Sequence, residues 1–305
     1  MQFLPLLSAI SAAAPAFQPP PQPVPHTRRL TSTVNAYGSF SPDDKTIVFQ
    51  SNATGRWQLY TIRADGDGLK PFLTSPGNDI TPAYSPDGSK VLFVSERDGN
   101  REVYLCNADG SAQKNLTTNA AMDIHPSWSA DGKRILFSSN RGNTDPDDYD
   151  IYQMNADGSE VRQITRGTDI DTYASWSPDG ARIVTRRVID NHRNNEVFVM
   201  AADGSHPVNL TNAPDHYDGW PVWSPDGKRI CFAGGGPDNG NHYLFLINPD
   251  GSGKQQISFP WIGDHCYDTQ PAFSHDGKLI VFTRYRPPSV FESAELVILQ
   301  IPPSA

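Results

Sequence analysis

One short phrase, repeated along the chain, constrains the fold more than any other feature of the sequence. A serine is followed by proline or a substitute, then by aspartate, and in five of six copies by glycine. The copies are Ser41–Asp44, Ser85–Gly88, Ser129–Gly132, Ser177–Gly180, Ser224–Gly227 and Ser274–Gly277. Their serines lie 44, 44, 48, 47 and 50 residues apart, so the chain is built from six structural repeats.

The third repeat illustrates what each unit encodes. His125–Ser129 is a strand-like run that enters a tight turn, in which aspartate binds its local backbone and glycine takes the left-handed conformation. Apolar runs at Arg134–Phe137 and Tyr149–Tyr152 predict two further strands, and a second Asp-Gly turn leads to a fourth at Val161–Thr165. Four antiparallel strands in a period of about 40–50 residues are typical of a propeller blade. We therefore predict an all-β, six-bladed β-propeller with four-stranded antiparallel blades.

The sixth repeat lacks a fourth strand. After Glu295–Gln300 the sequence runs out in a proline-containing tail, whereas Arg28–Thr31, before the first repeat, matches the fourth-strand pattern. We expect this N-terminal strand to complete the last blade and close the ring, because a closed propeller leaves no long open sheet edge.

An aromatic residue stands immediately before the first turn of every repeat. Such residues are expected to pack between neighbouring blades and fill the core. They are Phe40, Tyr84, Trp128, Trp176, Trp223 and Phe273.

The N-terminus differs in composition from the repeats. Residues 1–16 are apolar, rich in small side chains, and end in Ala14-Pro15-Ala16, which matches a signal-peptidase site. Residues 17–26 form a proline-rich spacer, and a single propeller domain is expected over residues 27–305. This organisation predicts a periplasmic or secreted protein without a transmembrane span; a disordered tail is the alternative interpretation of the first segment.

Charge and cysteine content narrow the range of partners. The formal net charge is −9 and the isoelectric point is about 5.3, which argues against nucleic acid and leaves protein or glycan partners open. The three cysteines, Cys106, Cys231 and Cys266, show neither metal-ligand spacing nor a disulfide framework. We expect a monomer that requires no cofactor.

A carboxylate or carboxamide stands six residues before each turn serine. Recurrence in all repeats favours a structural role, such as accepting loop N–H groups or pairing with Arg97 or Arg141. The alternative is an anionic collar that holds Ca, Mn or Zn at the mouth of the channel, together with His125. The residues are Asn35, Asp79, Asp123, Asp171, Asp218 and Asp268.

Four residues before each turn serine, the identity of the side chain varies. A mixture of aromatic and polar groups suits ligand recognition, because aromatic faces stack and polar tips form hydrogen bonds. We predict that these side chains line the channel mouth and bind a ligand; the alternative is that they only plug the channel. They are Tyr37, Thr81, His125, Tyr173, Trp220 and Gln270.

The variable loops are expected on the same face of the propeller as the loops that enter each first strand. They join the second and third strands of a repeat, whereas both regular Asp-Gly turns fall on the opposite face. Variation concentrated on one face indicates that this face carries specificity. The loops are Arg141–Tyr149, Arg186–Glu196, Gly234–His242 and Arg284–Ser293.

The repeat resembles that of the TolB-like (WD-repeat-like) propeller family. Two phrases carry the resemblance. The first is Trp-Ser-Pro-Asp-Gly, as at Trp176–Gly180 in repeat four. The second is Asn-Ala-Asp-Gly-Ser, which comes later within a repeat, as at Asn155–Ser159 in repeat three. It covers essentially the whole chain and is specific for the fold rather than for an activity. Relatives include envelope proteins that bind other proteins, gating propellers of peptidases, and oligogalacturonate lyases. The chain has no Gly-x-Ser-x-Gly elbow, so a serine peptidase is not expected.

Two functions remain open at this stage, and the residues favour the first. One is a non-catalytic module that binds a protein or glycan through the face with variable loops. The other, implied by the resemblance to oligogalacturonate lyase, is a metal-dependent polysaccharide lyase or a related glycosidase. In that enzyme His125 would be a metal ligand, and Arg186, Arg187 or Arg193 would neutralise a uronate carboxylate. The candidate catalytic residues are therefore His125, Arg186 and Arg193.

Overall fold

The computed structural model describes residues 27–31, 34–189, 194–213, 216–235, 240–260, 265–286 and 293–301. The expected signal peptide (1–16) and spacer (17–26) lie outside the described residues, as does Arg193. In this part of the chain the structure contains strands and turns but no helix, and so no helix that could cross a membrane.

The strands follow the six repeats in order, after β1 (Thr27–Arg29). Repeat one contains β2 (Asn35–Phe40), β3 (Thr46–Ser51), β4 (Gln58–Arg63) and β5 (Lys70–Leu73). Repeat two contains β6 (Asp79–Tyr84), β7 (Lys90–Ser95), β8 (Glu102–Asn107) and β9 (Lys114–Asn115). Repeat three contains β10 (Asp123–Trp128), β11 (Arg134–Ser139), β12 (Asp150–Asn155) and β13 (Arg162–Gln163). Repeat four contains β14 (Ile170–Trp176), β15 (Arg182–Ile189), β16 (Asn194–Ala201) and β17 (Val208–Asn209). Repeat five contains β18 (Gly219–Trp223), β19 (Ile230–Gly235), β20 (His242–Ile247) and β21 (Gln255–Gln256). Repeat six contains β22 (Tyr267–Phe273), β23 (Leu279–Tyr285) and β24 (Glu295–Gln300).

Each of the first four repeats forms a separate antiparallel sheet of four strands. Repeats five and six share an eight-stranded sheet with β1, because His242 of β20 and Tyr267 of β22 meet in a single parallel pair. The first strand of each repeat contacts the first strand of the next, and β22 of repeat six contacts β2 of repeat one.

The first turn of each repeat is held by its own side chains. In repeat three the Ser129 hydroxyl donates to Asp131 at 2.6 Å and accepts the Arg134 N–H at 2.9 Å. Asp131 also accepts the Lys133 N–H, and these donors lower the pKa of its carboxyl group. Gly132 has a φ of 67°, the left-handed conformation that the sequence predicts for this position. The Ser-x-Asp-Gly phrase therefore encodes the hairpin between the first and second strands.

The core consists of apolar clusters that join one repeat to the next. Trp128 packs with Leu92 and Val103 of repeat two and with Phe137 of its own repeat. The other five pre-turn aromatic residues occupy equivalent clusters between neighbouring repeats, as predicted. Burial of these large side chains between repeats is the main stabilising contribution to such a fold.

The N-terminal strand occupies the fourth-strand position of repeat six. β1 pairs antiparallel with β24, with Arg28 opposite Ile298. The Thr31 hydroxyl accepts the N–H of Leu296 at 3.0 Å. In repeat two, the Thr117 hydroxyl accepts the N–H of Val103 at the same distance. The segment around Thr31 thus reproduces the side-chain contact of an ordinary fourth strand.

The junction between repeats six and one has its own contact on the turn face. At four of the other five junctions the glycine of one turn lies against the proline of the preceding turn; a Cβ atom on Gly88 would come within 3.1 Å of the Pro42 side chain. Repeat one has Asp44 instead of glycine, at a φ of 58°, and repeat six has His275 instead of proline. The Asp44 carboxylate accepts the N–H groups of His275 and Asp276 at 2.6 and 2.9 Å. We call this pair of hydrogen bonds the turn latch.

Candidate functional site

The six variable side chains before the turns all line one cavity. Each first strand contributes three consecutive residues to the wall, beginning with the variable one, and the cavity volume is about 190 Å³. We call it the axial cavity, since the first strands of all six repeats surround it. The structure thus brings Tyr37, Thr81, His125, Tyr173, Trp220 and Gln270 together, and their role in ligand binding stays a prediction.

A backbone irregularity aims these side chains. The register of each first strand against the second shifts at this point, as between Ile124 and Ser127 in repeat three. All six variable residues have φ between 50° and 57°, a left-handed conformation that costs a non-glycine residue on the order of 1–2 kcal/mol. A bulge of this kind redirects a side chain that would otherwise alternate with the strand.

Aromatic contacts occupy the centre of the axial cavity. The hydroxyl groups of Tyr37 and Tyr173, which come from repeats one and four, lie 3.2 Å apart. Tyr173 stacks on His125 with ring centroids 3.7 Å apart, and Trp220 lies 5.6 Å from Tyr173 on another side. Burial, followed by the neighbouring Tyr173, raises the pKa of Tyr37 well above its usual value. The Tyr37 phenol is therefore neutral, and the contact between the two hydroxyl groups spans the axis.

Four of the variable side chains also carry a buried polar atom that is not paired. Thr81 Oγ1, His125 Nδ1, Trp220 Nε1 and Gln270 Oε1 are buried and have no hydrogen-bond partner. Burial, and then the charge of Arg186, lowers the pKa of His125 well below its usual value, so its imidazole is neutral at pH 7. With a volume of about 190 Å³ the space holds roughly six waters at about 30 Å³ each. Typical ligand pockets measure about 300–1,000 Å³, so the axial cavity alone suits water or a very small molecule.

The carboxylates six residues before the turns have a different setting. Asp79 pairs with Arg97 at 3.1 Å and Asp123 with Arg141 at 2.7 Å. Asp171 and Asp268 each bind both the Nε and the Nη2 group of an arginine, at distances between 2.6 and 2.9 Å. None of these aspartates lines the axial cavity. Their geometry favours the structural role that recurrence suggested, because the arginine of each repeat occupies the carboxylate.

The donor set does not fit the proposed metal collar. Among the described residues, no group of three or more His, Cys, Asp or Glu side chains is placed to hold a metal ion. His125 faces Tyr173, and four of the five aspartates face arginine. We therefore derive no chemistry through a metal at Asp79, Asp123, His125, Asp171, Asp218 and Asp268.

Asp218 in repeat five is the exception to the pairing. Its cross-strand position is occupied by Gly234, where repeats four and six carry an arginine opposite the aspartate. Both carboxylate oxygens of Asp218 are buried without a hydrogen-bond partner. Burial raises the pKa of this carboxyl to about 6, despite the counteracting charge of Lys254.

A row of aromatic rings continues from the axial cavity across repeats five and six. Tyr217 lies 5.4 Å from Trp220 and 5.5 Å from His242, measured between ring centroids. His242 contacts Tyr267 at 4.7 Å, and Tyr267 contacts Tyr285 at 5.2 Å. We call Tyr217, His242, Tyr267 and Tyr285 the aromatic row. All four are partly exposed, and they lie where strands meet the entry loops and the loops between second and third strands.

Sequence reasoning missed most of the aromatic row. Tyr217 and Tyr267 both stand seven residues before a turn serine, where the other four repeats have non-aromatic residues. This difference was the available signal. The signal is weak because only two of the six repeats carry an aromatic residue at this position.

Four-stranded antiparallel sheets whose first strands surround an axial cavity define a β-propeller with its candidate site at the axis. The sequence profile of the TolB β-propeller domain matches residues 70–256, more than half of the chain. The chain therefore belongs to the TolB β-propeller family.

Solved structures show the same fold. A protein assigned as TolB in Agrobacterium tumefaciens is 20% identical, with a TM-score of 0.67 over 89% of this chain and 91% of that one. TolB from Acinetobacter baumannii is 20% identical, with a TM-score of 0.64 over 90% of this chain and 65% of that one. An oligogalacturonate lyase in complex with manganese is 13% identical, with a TM-score of 0.62 over 91% and 93%. No curated protein matches the sequence. At these identities the structural likeness extends to the fold alone.

Proposed function

We propose that this chain is a six-bladed TolB-like propeller that acts as a non-catalytic binding module in the periplasm or outside the cell. Its single domain spans residues 27–305, and the eight-stranded sheet represents two blades. The contact of β22 with β2 and the pairing of β1 with β24 support a ring closed by the N-terminal strand. A closed ring is a rigid support, which suits recognition by loops rather than by large movements.

The observation that carries this proposal is the aromatic row next to the axial residues. Partly exposed rings of Tyr and His supply apolar contact area, and their polar tips supply hydrogen bonds. The row is continuous with Trp220 and Tyr173, so the surface extends from the axis across two repeats. This combination fits a protein or glycan partner on the face with the entry loops and variable loops. Two of the structural relatives are named TolB, which agrees with a binding role.

The test compares two faces of the full-length protein. Variant Tyr267→Ala/Tyr285→Ala alters the aromatic row, and Lys228→Ala alters an exposed turn on the opposite face as a matched control. Binding is measured on a glycan array and by cross-linking to purified envelope proteins, after thermal unfolding shows that both variants are folded. We expect the row variant to lose the partners that the wild type and the control retain. Unchanged binding by the row variant would show that the proposed face is wrong.

An enzymatic alternative rests on His125 and Arg186. A neutral imidazole can accept a proton, and that of His125 stacks on the Tyr173 ring. The Arg186 guanidinium lies over the same ring, 5.0 Å from its centroid. The chain also shares its fold with an oligogalacturonate lyase. Incubation with polygalacturonate, followed by chromatography for unsaturated products, tests this alternative. Turnover that His125→Ala abolishes would refute the purely binding role, and elemental analysis of the same preparation reports any bound Mn, Ca or Zn.

A further inference from the structure

One position on the second strand of each repeat points towards the first strand of the next. This position pairs across the strands with the residue that precedes the variable axial side chain; in repeat one, for example, Gln50 pairs with Ala36, which precedes Tyr37. Gln50 Oε1 accepts the N–H of Thr81 at 2.8 Å, and Thr283 Oγ1 accepts the N–H of Tyr37 at 3.2 Å. The six residues at this position are Gln50, Val94, Ser138, Arg186, Ala233 and Thr283. Only repeat four places a charge there.

In the part of the chain that the structure describes, the Arg186 guanidinium has no counter-ion. Its Nη1 donates to the Tyr217 hydroxyl at 2.7 Å, and its Nε is buried without an acceptor. Among the described residues no carboxylate pairs with it. The contrast with Arg187 and Arg284 is instructive, because each of these uses its Nε and Nη2 groups to bind both oxygens of an aspartate. In Arg186 the same edge lacks a carboxylate.

Repeat five makes room for this side chain. Gly219 pairs across the strands with Ala233, and at the position of Gly219 the other repeats carry Ala, Ile or Thr. A Cβ atom on Gly219 would come within 3.3 Å of Arg186 Cδ and 3.2 Å of Tyr217 Cε1. Both distances are tighter than ordinary van der Waals contact, so glycine is what allows arginine and tyrosine to lie side by side here.

An unpaired, partly buried guanidinium is costly, and the four arginines that pair with the recurring aspartates avoid it. Removing a charge from water without a partner is unfavourable, whereas Arg97, Arg141, Arg187 and Arg284 each have an aspartate. Arg186 differs from these four in that its charge faces aromatic rings of the entry-loop face, where a carboxylate from outside the chain could take the place of the aspartate.

We propose that Arg186 binds the carboxylate of a small, ring-bearing organic acid, whose flat body lies against Tyr217 and Trp220. The guanidinium fork matches a planar carboxylate in two parallel hydrogen bonds, as it does twice within this protein. The rings of Tyr217 and Trp220, 5.4 Å apart and inclined at 37°, offer the apolar contact. The inference rests on the proposed binding role of this face and adds the chemistry of the ligand.

Benzoate and benzamide form a matched pair of probes, because they share a ring and differ in charge. Each is titrated into the full-length protein, and binding is followed by tryptophan fluorescence and saturation-transfer NMR. We expect benzoate to bind at least about tenfold more tightly than benzamide, because a charge-assisted pair replaces a neutral hydrogen bond. Arg186→Gln should remove the preference, and Arg186→Lys should retain part of it, since lysine keeps the charge but not the fork.

Two further variants separate the alternatives. Gly219→Ala changes no charge but crowds Arg186, and should weaken benzoate binding at least about threefold, because displacement of the arginine disturbs a two-point contact. Lys228→Gln removes an exposed positive charge and should leave it unchanged. Equal affinity for the two probes, no benzoate binding, or a preference that survives in Arg186→Gln would each overturn the inference. If the row variant Tyr267→Ala/Tyr285→Ala still loses its partners in that case, the binding face stands and only the carboxylate site fails.

Discussion

The turn latch between Asp44 and repeat six offers a quantitative test of how repeats six and one are held together. In variant Asp44→Ala the N–H groups of His275 and Asp276 lose the carboxylate that accepts them at 2.6 and 2.9 Å. A hydrogen bond to a charged group contributes about 1.5–3 kcal/mol. The Asp44 side chain is 20% exposed, and water can replace part of each bond. We therefore expect the free energy of unfolding to fall by about 2–3 kcal/mol for the pair.

The assay is urea unfolding of the full-length protein, with calorimetry as a second probe. For a domain of this size 1 kcal/mol corresponds to about 2–4 °C, so the melting temperature should fall by about 4–12 °C. Asp44→Gly also removes the acceptor but relieves the left-handed strain of about 1–2 kcal/mol, and should therefore cost less than Asp44→Ala. His275→Ala keeps both N–H groups and should change stability by less than about 0.5 kcal/mol.

A double-mutant cycle makes the reasoning refutable. His275→Pro removes one N–H donor and is destabilising alone, but together with Asp44→Gly it restores the glycine-on-proline contact that Gly88 and Pro42 make. The double variant should therefore be more stable than the sum of its single effects by at least about 0.5 kcal/mol. Strict additivity, or an Asp44→Ala variant as stable as the wild type, would show that the latch contributes nothing.

Three further predictions concern single contacts. Burial raises the pKa of the Asp218 carboxyl in the folded protein to about 6 from 3.8, so the wild type loses stability as this group ionises between about pH 4 and 6. Asp218→Asn should therefore stabilise the protein by up to about 3 kcal/mol at pH 7 and by little near pH 4. Urea unfolding at both pH values measures the difference. Thr31→Val removes the acceptor of the Leu296 N–H and should cost about 1–3 kcal/mol, with faster amide exchange at Leu296; unchanged exchange would argue against the N-terminal strand as a stabilising element. Arg187→Gln leaves the Asp171 carboxylate buried without its counter-ion and should cost about 3–5 kcal/mol in the same unfolding assay, and a loss below about 1 kcal/mol would contradict a structural pair.

The fold could be predicted from the sequence because the same turn phrase and strand pattern occur in every repeat. The turn serine and aspartate form hydrogen bonds within five residues of one another, so each copy of the phrase contains all the residues that its turn needs. The same logic located the six axial side chains, which stand at one fixed distance from the turn.

Contacts that occur once could not be predicted in this way. The left-handed φ of Tyr37 and its equivalents results from a bulge against the second strand, which no local residue pattern announces. The arginine partners of the aspartates lie either directly opposite or two residues further along, so spacing alone identified only some of them. Asp44 and His275 were visible as departures from the phrase, but their meeting depends on which repeats become neighbours.

The bulge that carries the axial side chains has a consequence for engineering. Its backbone conformation is the same in all six repeats although the residues there range from threonine to tryptophan. The scaffold thus tolerates chemical diversity at six convergent points without changing its geometry, much as an antibody framework tolerates its loops. Randomising these six codons would yield a library of small binding cavities with nearly the same backbone. Selection would then act on the side chains that line the cavity and leave the fold unchanged.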